Sequence, residues 1–457
     1  DYDGPGPDDR TWTYSTQAEL VPAPPDGEPG WQVRWSPTIV HPDLSDADAL
    51  ALRRSQAPRA DIVTTDADPL VTARPVGRVG LDKVRIDGDA DAAARELAAV
   101  VGIDPDEYAG RVAAAGDEAF VEAIVLREVD AAALVGAGEA NDGGRVIEDE
   151  LPLAPTPELA PALIGTVGTP TAEVVQESGG AVVGTDLVGL SGLQQRYDAQ
   201  LRGMPGYQVV VVGSDAEGRA VHQADPIVGD DLVMTLDPTL QQRADDLLAD
   251  VGSPSAIVAL RPSTGELLAV ASGPASDDYS TATLGRYAPG SVFKVVSALA
   301  LGRTGLAPDD TVTCSPSTVV DGKQFVNYSA YPADALGDIS LRTAFAESCN
   351  TAFVDQVDTV TWEEVADAAA ALGVGTDSDL GVDTFAGDLG DAATRVDRAA
   401  GLIGQGPVLV SPLAAATMAA SVGPSPATAS EAGAASAGGP VTPLLLPDLA
   451  GVDTAQD

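Results

Sequence analysis

One lysine is the hardest residue of this chain to place. The stretch GRYAPGSVFKVVSALALG (285–302) is apolar almost throughout, yet Lys294 stands inside it, and the 457 residues hold only two other lysines, Lys83 and Lys323. The Pro289-Gly290 pair is a turn signal, and the spacing predicts a helix beginning near Ser291. Residues three apart share a helix face, so Ser291 and Lys294 are expected side by side. Val292, Phe293, Val295, Val296, Leu299 and Leu301 put apolar side chains on every side of Lys294. Such a helix is buried, and burial pushes a lysine pKa down toward the range where it accepts a proton. The free N–H groups and dipole at the helix N-terminus favour a developing oxyanion. The pair therefore reads as a serine nucleophile with its own general base. A bare Ser-x-x-Lys arises easily by chance; the Pro-Gly start of an apolar helix is what gives it weight.

Composition removes the competing chemistries. Asp+Glu number 69 against 25 Lys+Arg, a formal net charge of −44. A polyanion of that size does not seek nucleic acid or an anionic membrane surface, and the charge, spread along the chain, reads as a solvated surface. His41 and His222 are the only histidines, which argues against a metalloenzyme and against a Ser-His-Asp triad. Cys314 and Cys349 fit neither a disulfide framework nor a zinc site. They can pair at most once, and Cys349 reads as a small packing residue. There is no Gly-x-Ser-x-Gly elbow and no phosphate-binding loop, and no cofactor is expected. The length suits two or three domains. No apolar stretch reaches the ~18 residues of a membrane span. The sequence begins at Asp1 rather than Met, so its N-terminus is expected to be cut or processed.

Residues 11–41 alternate as strands do, and 45–58 read as a short helical or linker passage. From Ala60 to Pro226 the pattern is mixed. Helices are expected over 91–102 and 106–116, each closed by glycine, with strands over 119–128 and 207–214. An amphipathic helix is expected over 190–203, with Leu190, Leu193, Tyr197 and Leu201 on one stripe. Further on, Asp237-Pro238 opens a helix that runs to Gly252, and 255–272 read as a hairpin around Pro-Ser-Thr-Gly. More helices follow Ser291 out to about residue 422, and PSPATASEAGAASAGG (424–439) reads as a low-complexity loop.

A second candidate element is AESCNTAF, where Ser348 and Asn350 flank Cys349, 57 residues beyond Ser291. A hydroxyl and an amide on one loop can shuttle a proton and hold a substrate amide, although Ser-x-Asn alone is more often a cap or a turn. With YAPGSVFK before it and GQGPVLVSPLAAA (404–416) after it, the ordered set resembles the active-site landmarks of class B penicillin-binding proteins. LVMTLDPTLQQ and IVALRPSTGELLAVAS resemble the start of that family's transpeptidase domain, and TVTCSPSTVVDGKQFVNY its connecting segment. GLSGLQQRYDAQLRG resembles the end of the dimerisation domain, and WQVRWSPTIVHPDL the end of the NTF2-like domain of the MecA-like subgroup. The likeness covers nearly the whole chain.

The resemblance implies a multidomain α+β protein. Residues 1–45 would close an NTF2-like N-terminal domain, and 46–226 would form an α+β dimerisation or pedestal domain. Residues 227–457 would form an α/β penicillin-binding transpeptidase domain of the serine beta-lactamase-like fold. By the same resemblance Ser291 attacks the penultimate D-Ala carbonyl of a peptidoglycan stem peptide and Lys294 takes its proton. Ser348 relays protons to the leaving amine, and Asn350 holds the acyl side chain. Beta-lactams, which mimic D-Ala-D-Ala, acylate the same serine. The implied setting is the cell envelope, on the outer face of the plasma membrane, with divisome or elongation proteins as partners and no nucleic acid. The family's third motif, Lys-Thr/Ser-Gly, is missing, since no lysine follows Lys323. The expectation is a sequence incomplete at both ends, lacking the C-terminal strands and inactive as written. A non-catalytic envelope scaffold, or a hydrolytic relative (D,D-carboxypeptidase, beta-lactamase or beta-lactam sensor), is the alternative.

Overall fold

Residues 45–58 contradict their composition. ALALRRS is made of helix-formers, yet Ala49–Ser55 is a strand, not the helical or linker passage expected of it. It pairs antiparallel with Gly206–Val212 without a break, from Ala49 opposite Val212 to Ser55 opposite Gly206. The partner is a run of four valines whose backbone needs a ladder on both sides; Arg219–Ala224 supplies the other. Tertiary pairing outweighs a propensity difference of a few tenths of a kcal/mol per residue. The structure, a computed structural model, describes residues 11–22, 30–127, 141–213, 218–376, 378–422 and 440–447, so the low-complexity stretch 424–439 lies outside the described residues.

The described residues fall into two units that interleave along the chain: Asp1–Asp61, Gly168–Val188 and Tyr197–Leu232 form one, the remainder the other. The first holds the three-stranded sheet just described and a hairpin of Glu19–Pro22 with Trp31–Arg34, registered with Leu20 opposite Val33. Residues 11–18, expected to alternate as a strand, have no regular structure. Two largely buried ion pairs cross-link this unit, Arg59 to Asp198 at 2.7 Å and Arg54 to Asp186 at 2.8 Å.

In the second unit the long strand Pro69–Asp82 takes Phe120–Arg127 on one side and Gly144–Leu153 on the other, both antiparallel. The helices Ala90–Val101 and Pro105–Ala114 cover it with Leu97, Tyr108 and Val112, all essentially buried. Each begins on an aspartate whose carboxylate accepts from the first free N–H groups, Asp89 and Asp104. Gly102, in the left-handed region at φ 75°, closes the first helix; the second stops at Ala114, short of the expected glycine. The stretch expected as one helix over 190–203 is two short ones, Gly192–Arg196 in this unit and Asp198–Arg202 in the first, because Tyr197 leaves helical geometry at φ −106°, ψ 23°.

The rest of this unit carries the candidate site. Helix Pro238–Leu248 packs Ala244 and Leu248 on the hairpin Ala256–Leu260 with Leu267–Ser272. The buried Gln241 amide locks the two together, accepting from Val270 N–H at 2.7 Å and donating to Val270 O at 3.3 Å. A larger apolar core gathers Phe293, Val296, Ala300, Phe353, Val365, Val408 and Met418 around the helix Lys294–Arg303. Beside it, Thr311–Cys314 pairs with Gly337–Ser340, and Ser317–Val320 with Lys323–Val326. The last of these turns on Asp321-Gly322, both at positive φ (46° and 85°), the conformation a two-residue hairpin requires. Among the described residues no helix is long and apolar enough to cross a membrane.

Candidate active site

The turn before Ser291 is held from behind. Tyr287 exchanges both backbone hydrogen bonds with Val410, at 3.0 and 2.9 Å, and Gly290 N–H donates to Gly404 O at 2.8 Å. Gly404 lies in the left-handed region (φ 65°), and a Cβ there would stand 2.0 Å from Gly290 O. Only glycine allows the 404–410 segment to press so closely on the serine turn. The first turn, Gly290–Phe293, is 3-10 and becomes α-helical at Lys294. Phe293 and Val296 are fully buried, whereas Val292 is 52 % exposed, so the helix is not enclosed on every face as its sequence suggested. Ser291 sits on the open side and Lys294, 1 % exposed, beneath it.

Lys294 Nζ is the centre of the cluster. It lies 3.1 Å from Ser291 Oγ, 3.0 Å from Ser348 Oγ, 2.7 Å from Ser348 O and 2.7 Å from Asn350 Oδ1. The four residues singled out in the sequence thus meet at one nitrogen. Burial pushes the lysine pKa down to about 8, with no charged neighbour contributing. Two of the four oxygens, Ser348 O and Asn350 Oδ1, can only accept hydrogen bonds. A neutral amine has two N–H groups for those two and a lone pair left for the hydroxyls. Ser348 reaches this position in the left-handed region (φ 56°), which costs a serine free energy and aims its own carbonyl, as well as its hydroxyl, at the lysine.

The Ser-x-Asn loop is tied down on its far side. Cys349 is disulfide-bonded to Cys314, with 6.2 Å between Cα atoms, at the end of the strand Thr311–Cys314. This corrects the reading of Cys349 as a mere packing residue; the fold brings together two cysteines 35 residues apart, which spacing alone could not reveal. Asn350 opens the short helix Asn350–Val354 and donates from Nδ2 to Val326 O at 3.0 Å, which fixes its amide with Oδ1 toward the lysine. Asn327, which the sequence reading passed over, accepts at Oδ1 from Asn350 N (2.8 Å) and Thr351 N (3.2 Å) and donates to Ser315 O (3.1 Å). Its only trace in the sequence is an asparagine directly after a strand, which ordinarily marks a turn.

Residues 54–234 match the penicillin-binding protein dimerisation domain, and residues 255–424 the penicillin-binding protein transpeptidase domain. Penicillin-binding protein 3 of Bacillus subtilis is 24 % identical over 407 residues, 82 % of this chain and 56 % of that protein. The peptidoglycan D,D-transpeptidase PbpA of Mycolicibacterium smegmatis is 30 % identical over 264 residues, half of each chain. The chain thus spans about half the length of these curated relatives. Among solved structures, a complex between penicillin-binding protein PBP2 and MreC from Helicobacter pylori has the same fold. It aligns with TM-score 0.63 and 17 % identity, over 90 % of this chain and 80 % of that one. With its dimerisation domain, its transpeptidase domain and mixed α and β content, the chain belongs to the class B penicillin-binding proteins.

Proposed function

We propose that the chain is the acyl-transferring body of a peptidoglycan D,D-transpeptidase, with Ser291 as nucleophile. The observation that carries this reading is the convergence of Ser291 Oγ, Ser348 Oγ and Asn350 Oδ1 on a buried lysine nitrogen. Neutral Lys294 accepts the Ser291 proton as Oγ attacks the penultimate D-Ala carbonyl of a stem peptide. The resulting oxyanion collapses, the C–N bond to the terminal D-Ala breaks, and the leaving nitrogen takes a proton through the Ser348 hydroxyl from Lys294. An amine from a neighbouring strand then attacks the acyl ester by the reverse path, which forms the crosslink and restores Ser291. One N–H of Asn350 Nδ2 is engaged by Val326 O, and the other would hold the acyl side chain.

Beta-lactams would acylate Ser291 by the same route. The organisation into 1–45, 46–226 and 227–457, with an NTF2-like beginning, is part of this proposal. So is a place on the outer face of the plasma membrane, where a disulfide persists. An elongation protein is the class of partner we propose, by analogy with the solved PBP2–MreC pair. A fluorescent penicillin should label the complete protein covalently, and Ser291→Ala should abolish the label. Labelling that survives the substitution removes Ser291 from the reaction. D-Ala released without any crosslinked product would make the protein a hydrolase.

A further inference from the structure

We propose that Asn327 is a positioning residue for acylation, acting through Asn350. The inference rests on the acyl-serine reading above. The helix Asn350–Val354 is little more than one turn, and its first N–H groups have no partner within it. No neighbour in sequence satisfies the first two. They converge instead on Asn327 Oδ1, 23 residues away in the chain, at 2.8 and 3.2 Å. Asn327 is itself held, since its Nδ2 donates to Ser315 O, an oxygen that also accepts from Thr351 Oγ1 at 2.7 Å. Its amide orientation is therefore dictated: oxygen toward the helix, nitrogen toward the strand end.

The consequence falls on Asn350. Its backbone N–H is pinned by Asn327 and its Nδ2 by Val326 O, so residues 327 and 326 hold the main chain and the side chain of one residue. The atom left over, Oδ1, then points at Lys294 Nζ. The disulfide at Cys349 cannot do this alone, because it fixes a position in the loop and leaves the asparagine amide free to turn over. A flipped amide would set N–H groups against the lysine, which needs an acceptor there.

The test uses the full chain and a fluorescent penicillin, with the acylation rate constant read from pH 6 to 10 and melting temperature followed in parallel. Asn327→Ala removes the cap and should lower the rate constant roughly tenfold, the size of a lost capping interaction. Loosening the Asn350 backbone also lets Oδ1 draw away from the charged lysine, so the midpoint of the pH profile should move down. Asn327→Asp keeps an oxygen for the two N–H groups but adds a negative charge behind Asn350. Its midpoint should move up, with most of the rate recovered at high pH. A purely structural role would change melting temperature and the fraction labelled but leave the midpoint of the labelled fraction where it was. Wild-type rate and midpoint in Asn327→Ala overturn the proposal. Should that variant not fold, an unmoved midpoint in Asn327→Asp overturns it. If the unmodified chain is not labelled at Ser291, the acyl-serine reading fails and takes this inference with it; normal labelling with unmoved variants sinks the inference alone.

Discussion

Acylation of Ser291 should follow one titration, that of Lys294. With its pKa at about 8, roughly one lysine in ten is neutral at pH 7, against about three in ten thousand for an ordinary lysine, a gain of about 300-fold in active base. The rate constant for a fluorescent penicillin should therefore rise roughly tenfold from pH 7 to a plateau above pH 9. Stopped-flow labelling at constant ionic strength measures it directly. The same shift bears on stability, with a defined sign. Folding disfavours the proton, so the native state binds fewer protons than the unfolded chain between about pH 8 and the ordinary lysine value of 10.5. Stability held back below pH 8 is thus regained as pH rises through that window, by about 3 kcal/mol if no other group titrates. Comparison with Lys294→Met isolates it, since that variant lacks the group and should show no such gain. Acylation by Lys294→Met should be lower by about 10²–10⁴. A wild-type rate that is flat from pH 6.5 to 9, or that rises only near pH 10, would refute the neutral-lysine reasoning.

The other expectations concern the frame around the site. Reduction of Cys314–Cys349, or replacement of both cysteines by serine, should cost about 4 kcal/mol for a loop of this length; melting with and without reductant measures it, and an unchanged melting temperature would place the bond's importance elsewhere. Gly404→Ala would drive a Cβ to 2.0 Å from Gly290 O. It should therefore slow acylation at least as much as it lowers stability, a loss of about 2 kcal/mol or more. Full acylation by Gly404→Ala would show that the serine turn does not depend on that approach.

What could be read in the sequence was what is local. Ser291 and Lys294 share one turn, and the turn signal, the apolar run and the spacing were all visible within eighteen residues. Ser348 and Asn350 were visible as a pair, but their convergence on Lys294 depends on packing across more than fifty residues. Asn327 and the disulfide belong to that second kind of information. Each matters through a partner that becomes a neighbour only once two strand pairs have formed, one nested inside the other. The strand Ala49–Ser55 shows the same limit in the fold, since its identity resides in a valine strand about 150 residues further on. The break at Tyr197 marks the opposite case: a continuous apolar stripe promised one helix, and the backbone leaves helical geometry in its middle.

The left-handed backbone at Ser348 couples durability to turnover. A serine there gives up about 1 kcal/mol or more that glycine would not. Glycine would keep the carbonyl on Lys294 and discard the hydroxyl beside it. Selection for a sturdier protein alone would therefore drift toward glycine at this position, and would lose the hydroxyl proposed as the proton relay while leaving the lysine in place. If Ser348 relays the proton as proposed, its strained backbone is where the chain trades persistence for chemistry.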